Sequence, residues 1–297
     1  MREDILEVPG AALRFRLTGT PGELPPVVLE NGWGASYDYF SLLQDELAPH
    51  VQVLSYNRAG IGDSVARAPQ SAEGVSRQLV ALLDALGIRT PVVVAGQSYG
   101  GLMCGVHAAL IPERLRAVVQ IDPTPERGDP QVDASLQMVH GLTRVLIPMA
   151  VLRIPEPLFT PQMKEISATD RARLRRHAFG NAGSLRAART ELDLLPDIRA
   201  VCARPNRVPR LVISAGKTET VGNRLLRKLI PQERALALLD IMQREHRLNV
   251  ERAVEGSQWI TLPYTHGGLV ITRAGAAATA ACMLDYLRQM PASWPSA

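Results

Sequence analysis

Apolar positions along this chain fall into two alternating kinds. Val27-Val28-Leu29, Val92-Val93-Val94-Ala95, Val118-Val119-Gln120-Ile121 and Leu211-Val212-Ile213 are short, nearly continuous runs bounded by Pro, Gly, Asn or Asp, as expected of strands buried on both faces. Between them the apolar residues recur every third or fourth position: Val75, Leu79, Leu82, Leu83 and Leu86 define a helix over residues 71–86. Strand-type runs interleaved with helix-type runs predict an α/β chain whose central sheet is mostly parallel and covered on both faces.

In chain order the pattern predicts a hairpin over residues 5–17 turning at Pro9-Gly10, a strand at 27–30, a helix at 37–47 and a strand at 51–56. A loop at 57–64 and the helix at 71–86 follow, then a strand ending at Ala95, a helix at 102–110, and a sixth strand at 118–121 that stops at Asp122-Pro123. Residues 125–207 then carry helical patterns and several prolines without a convincing strand. Strand character returns at 210–214 and 258–262, and the last helix spans 272–289. A helical stretch inserted between two core strands predicts a cap over the top of the sheet. The expected division is core at 1–124, helical cap at 125–207 and core again at 208–297.

Composition narrows the picture modestly. A chain of 297 residues has ample length for one large domain. No stretch approaches the roughly 20 apolar residues needed to span a bilayer, and Met1-Arg2-Glu3-Asp4 lacks the apolar core of a signal peptide, so export is not expected. Cys104, Cys202 and Cys282 are odd in number and widely separated, so reduced thiols in a cytoplasmic protein are expected, without metal-binding spacing. The net charge of +4 rests on 30 Arg and only 3 Lys. That skew points to genome composition more than to a partner, and no nucleic-acid reading motif accompanies it.

The chemistry concentrates at Gly96-Gln97-Ser98-Tyr99-Gly100, directly behind the Val92–Ala95 run. It fits G-x-S-x-G, in which a strained strand-to-helix turn lifts a serine hydroxyl above the sheet edge. Side chains at the flanking glycines would collide with the strand and the incoming helix.

With this turn in place the chain resembles the α/β-hydrolase fold family over nearly its whole length. Val27 to Gly34 is similar to the family's strand and oxyanion loop. Residues 56–64, Tyr-Asn-Arg-Ala-Gly-Ile-Gly-Asp-Ser, resemble its D-R-x-G-x-G-x-S loop, with Asn57 in place of the usual Asp. Thr265-His266-Gly267-Gly268 follows the last strand, where the family places its histidine. A Val-Asp-Pro segment after the sixth strand in one bacterial subgroup is similar to Val119 to Pro125. The resemblance implies a serine hydrolase with Ser98 as nucleophile and His266 as base, since a serine hydroxyl needs an imidazole to take its proton. Of the six histidines, His266 is the one in a loop beyond the last predicted core strand. The backbone N–H of Tyr99, next after the nucleophile, is one expected oxyanion donor. The Gly32-Trp33 turn, by resemblance, supplies the second from Trp33.

Two residues compete for the triad acid. Glu219, in Gly216-Lys217-Thr218-Glu219, has the family's common offset after the seventh strand. Asp122, at the end of the sixth, is the position other members use, and a short carboxylate on a rigid strand end favours it. Haloalkane dehalogenase and the usual epoxide hydrolase chemistry need a carboxylate where Ser98 stands. Arg58 is expected to brace neighbouring loops.

Residues 171–189 hold Arg171, Arg173, Arg175, Arg176, Arg186 and Arg189 and no acid. They form either a solvated helix face or a docking surface for an acidic carrier protein or a phosphate-bearing tail. The run Leu146 to Leu152 is expected to line an apolar acyl pocket, pack the cap on the core or touch a lipid surface shallowly, without stable membrane insertion. The resulting expectation is an ester hydrolase acting on a small-to-medium apolar acyl substrate without metal or organic cofactor. Thioester hydrolysis or acyl transfer from a carrier is the alternative within the same apparatus. A non-catalytic small-ligand receptor on the same fold is the alternative outside enzymology.

Overall fold

The computed structural model describes residues 1–152, 163–177, 181–218 and 232–290. At its centre is a nine-stranded sheet. The N-terminal hairpin pairs β1 (Arg2–Val8) with β2 (Ala11–Thr18), and β2 runs antiparallel to β4 (Val53–Tyr56). From β4 the sheet continues through β3 (Val27–Glu30), β6 (Val92–Gln97), β7 (Leu115–Ile121), β8 (Arg210–Ala215) and β9 (Gln258–Leu262), every neighbouring pair parallel. A short strand, β5 (Val65–Ala66), pairs with β2. It had no sequence signature, so the sixth strand of the sequence reading is β7 here.

Alternation along the apolar runs divides them between two layers. Val27, Leu29, Val93, Ala95, Val119 and Ile121 join one core with Leu43 and Leu47 of α1 (Ser41–Leu47) and Met283 and Leu287 of α10 (Arg273–Gln289). Val28, Val94 and Val118 join the other with Leu79, Leu82 and Leu83 of α2 (Ala72–Ala85) and Cys104 and Ala108 of α3 (Tyr99–Leu110). Because neither face of these strands meets water, their sequence reads as unbroken hydrophobicity. Local signals set the helix starts: the Ser71 hydroxyl accepts from Gly74 N–H and the Thr272 hydroxyl from Gly275 N–H, caps worth about 1 kcal/mol each.

Between β7 and β8 the chain leaves the sheet through α4 (Pro130–Val151), α5 (Ala168–His177), α6 (Ala182–Asp193) and α7 (Leu195–Cys202). After β8 come α8 (Gln232–Glu251) and, beyond β9, the single turn α9 (Gly268–Ile271). Helix α8 was not among the elements expected from the sequence; Ile241 and His246 are its buried residues. The helix expected at 37–47 begins with a 3-10 turn, Tyr37–Phe40. Within the run Leu146 to Leu152, Leu146 is buried and Val151 and Leu152 are exposed. No described helix is long and apolar enough to cross a membrane.

Candidate active site

Strand β6 ends at Gln97, and the next residue turns sharply. Ser98 has φ 57° and ψ −119°, a conformation that costs a non-glycine residue about 1–3 kcal/mol and persists only when its surroundings impose it. Here they do. Ser98 N–H donates to Ile121 O at 3.0 Å, while Ser98 O accepts from Leu102 N–H at 3.1 Å and from Thr124 N–H at 3.0 Å. The flanking glycines follow from the same crowding. A Cβ on Gly96 would stand 2.2 Å from Gly100 O, and one on Gly100 would stand 2.1 Å from Glu30 O. Helix α3 therefore starts at Tyr99, earlier than the helix pattern suggested, because its first turn is made of glycines that let it press on the ends of β3 and β6.

Asp122 makes the matching corner at the end of β7. Gln97 and Ile121 are paired in register, so Ser98 and Asp122 leave the sheet side by side; Asp122 also has positive φ, 44°. Its buried carboxylate divides its two oxygens. Oδ1 accepts from Ala215 N–H at 2.9 Å, and Oδ2 meets His266 Nδ1 at 2.6 Å. Burial alone would raise the Asp122 pKa, but the His266 hydrogen bond and the attraction of His266 and His246 in their protonated forms bring it below the ordinary aspartate value. The main chain of His266 is anchored as well, its carbonyl accepting from Gln97 Nε2 at 2.7 Å. The residue before Ser98 thus holds the loop that carries the imidazole.

A second histidine lies behind the acid. His246 of α8 is 1% exposed; its Nε2 bonds Pro123 O at 2.8 Å, its Nδ1 bonds Ser214 Oγ at 2.8 Å, and Nδ1 lies 3.8 Å from Asp122 Oδ1. Trp259 Nε1 donates to the same Ser214 oxygen at 2.8 Å. Burial holds the His246 pKa below the usual imidazole value, outweighing the nearby Asp122 charge. The ring is therefore neutral, with Nε2–H donating to Pro123 O and Nδ1 accepting from the serine hydroxyl.

On the opposite flank, the turn after β3 approaches the serine. A Cβ on Gly32 would lie 3.9 Å from Ser98 Cβ and 3.6 Å from Gln97 O. Among the described residues, neither the Trp33 nor the Tyr99 main-chain N–H has a hydrogen-bond partner. Beneath this turn lies a buried ionic cluster. Arg58 Nη1 pairs with Glu30 Oε1 at 2.7 Å, and Arg58 Nε pairs with Glu191 Oε1 of α6 at 2.7 Å. The other Glu30 oxygen accepts from Tyr56 Oη and meets His107 Nε2 at 3.3 Å. Burial opposes the charge on Arg58, yet Glu191 and Glu30 outweigh it and raise the guanidinium pKa further. Arg58 thus does brace loops.

Of the residues singled out in the sequence, Ser98, Asp122, His266, Gly32, Trp33 and Tyr99 gather at one edge of the parallel sheet. Glu219 lies outside the described residues. Helices α5 and α6 carry the arginines: Arg175, Arg176 and Arg186 are exposed, while Arg173 pairs with Asp170 at 2.6 Å and Asp38 at 3.0 Å. A cavity of about 580 Å³ opens behind Pro123, between α7 and the end of α8, and Ser98 does not line it. His246, Glu30 and Glu191 were not anticipated as parts of this region. Glu30 carried a legible signal, since a carboxylate closing a doubly buried strand needs a partner. His246 and Glu191 had none, because their partners are distant in sequence.

A family model for the alpha/beta hydrolase fold matches residues 25–150. The chain is 30% identical over 98 residues to the uncharacterized protein YqjL of Bacillus subtilis, covering 33% of this chain and 39% of that protein. It is 32% identical over 122 residues to the polyketide synthase ThaQ of Burkholderia thailandensis, covering 41% of this chain and 6% of the synthase. The chain thus spans well under half the length of these curated relatives. Among solved structures, the enol-lactonase from Burkholderia xenovorans LB400 superposes with a TM-score of 0.65 at 21% identity, covering 96% of this chain and 100% of that one. The matched segment contains the Ser98 turn, and the likeness of fold extends over nearly all of the sheet and its helices: the chain has the α/β-hydrolase fold.

Proposed function

We propose that this protein is a serine hydrolase that cleaves a small-to-medium apolar carboxylic ester through an acyl-enzyme. Ser98 Oγ attacks the ester carbonyl while His266 Nε2 takes the hydroxyl proton. The carbonyl π electrons move onto oxygen, and the oxyanion is held by the amide N–H groups of Trp33 and Tyr99. Collapse breaks the bond to the alcohol, which leaves with the proton from His266. Water then attacks the acyl-enzyme by the same route, releasing the acid and restoring Ser98. Asp122 fixes the imidazole tautomer, keeping the proton on Nδ1 so that the accepting lone pair is on Nε2.

The observation that carries this reading is the 2.6 Å contact between His266 Nδ1 and Asp122 Oδ2 beside the strained Ser98 turn. It also favours Asp122 over Glu219 as the acid. A fluorophosphonate probe tests the proposal: stoichiometric labelling at Ser98, abolished in Ser98→Ala, is the expected outcome. No labelling of the wild type overturns it; retention of tight small-ligand binding in that case would return the receptor reading. A panel of p-nitrophenyl esters of increasing acyl length then defines the substrate.

A second reading, thioester hydrolysis or acyl transfer on a carrier-bound acyl group, is favoured by the exposed Arg175, Arg176 and Arg186, for which no ion pair is described. Helices α5 and α6 would then belong to a cap that docks an acidic carrier protein. Charge reversal at Arg175 and Arg176 should weaken turnover of carrier-bound acyl groups while sparing small esters; equal loss on both substrates counts against docking.

A further inference from the structure

The last turns of α6 grip both amide donors of the oxyanion hole. Trp33 Nε1 donates to Ala188 O at 2.6 Å, and Tyr99 Oη donates to Glu191 O at 3.1 Å. The Glu191 carboxylate reaches past them. Its Oε2 accepts from Gly34 N–H at 2.9 Å and its Oε1 from Arg58 Nε at 2.7 Å. Arg58 completes the path: Nη1 donates to Asn31 O at 2.6 Å and Nη2 to Gly32 O at 2.9 Å.

The peptide between Gly32 and Trp33 makes this path directional. No cis peptide bond is described in the chain, and in a trans peptide the C=O and N–H point to opposite sides of the chain. A Gly32 carbonyl turned toward Arg58 therefore turns the Trp33 N–H away from Arg58. Gly32 itself borders Ser98, and the Trp33 N–H has no hydrogen-bond partner among the described residues. Arg58 and Glu191 are 4% and 8% exposed, so a rotation of this peptide would take the acceptor away from a buried guanidinium N–H, which is costly.

We propose that Glu191, acting through Arg58, is a positioning residue that aims the Trp33 amide at the developing oxyanion. The inference rests on the ester-hydrolase reading but goes beyond it, since it assigns part of the transition-state geometry to a helix outside the sheet. Neither side chain touches substrate. Both act by fixing which way one peptide plane faces, an element of preorganisation that binding of the ground-state ester does not sense.

The test compares wild type, Glu191→Gln and Arg58→Lys with a p-nitrophenyl ester and with an aryl trifluoromethyl ketone. The ketone forms a tetrahedral adduct on Ser98 whose oxyanion needs the same donors. Both variants should lose about tenfold or more in kcat and in affinity for the ketone, in parallel, while KM stays within about twofold. The melting temperature controls for general damage. Unchanged kcat and ketone affinity in Glu191→Gln would overturn the inference, as would a loss that falls equally on KM and accompanies a collapsed melting temperature. Failure of the ester-hydrolase reading is seen separately, as a wild-type protein that takes no fluorophosphonate at Ser98.

Discussion

His266 Nδ1 lies 2.6 Å from Asp122 Oδ2, while the other Asp122 oxygen is held by Ala215 N–H of the adjacent strand. The carboxylate is thus fixed by the sheet before it meets the imidazole. Asp122→Asn would present an amide to Nδ1 and favour the wrong tautomer. Its kcat should fall by about 10³–10⁴ with little change in KM. Steady-state kinetics on a p-nitrophenyl ester, with thermal melting to confirm folding, checks this.

The acid limb of stability should show two stages. His246 is depressed below its ordinary value of 6.5 by burial, so the unfolded chain binds its proton first. The stabilisation by neutral His246 is complete above 6.5 and is lost as pH falls through its lower folded value. Asp122 and Glu30 are also depressed, from 3.8 and 4.5. Their contributions are intact above those values and disappear only at lower pH. Melting temperature should therefore decline from just below neutrality, then more steeply in the acid range. His246→Gln should flatten the first stage and leave the second; an unaltered first stage would refute the assignment.

The Ser98 backbone favours glycine. Ser98→Gly should be more stable than Ser98→Ala by about 1 kcal/mol, since both lose the hydroxyl but only glycine relaxes at φ 57°. Chemical denaturation of the two inactive variants measures the difference directly. Equal stabilities would mean that the turn is not strained.

Two glycines give opposite outcomes. Gly100→Ala forces a Cβ to within 2.1 Å of Glu30 O and 2.5 Å of Asn31 O, both backbone atoms, and should abolish soluble expression. Gly141 stands in α4 with nothing within 4 Å of its missing Cβ. Gly141→Ala should raise unfolding free energy by about 0.5–1 kcal/mol.

The inner strands of the sheet were readable in the sequence because they are buried on both faces: the segments at 27–30 and 210–214 are located by apolar runs alone. The placement of Ser98 at a strand-to-helix corner and of His266 beyond the last strand was readable because one stands in a glycine-bounded turn and the other follows that strand. The two candidates for the acid could not be separated, since separating them requires knowing how far Asp122 projects toward a residue 144 positions away. Arg58 announced its bracing role but not its partner. Glu191 sits in a helix whose local pattern is ordinary, and its significance exists only once α6 lies against the turn after β3.

The excursion from β7 to β8 leaves and rejoins the sheet at neighbouring strands, which topologically would let such a segment be exchanged between relatives like a module. The grip of α6 on Trp33, Gly34 and Tyr99 removes that freedom. A chimera that imports a foreign excursion to alter selectivity would have to bring its own carboxylate for Arg58, or it would gain a new entrance at the expense of turnover.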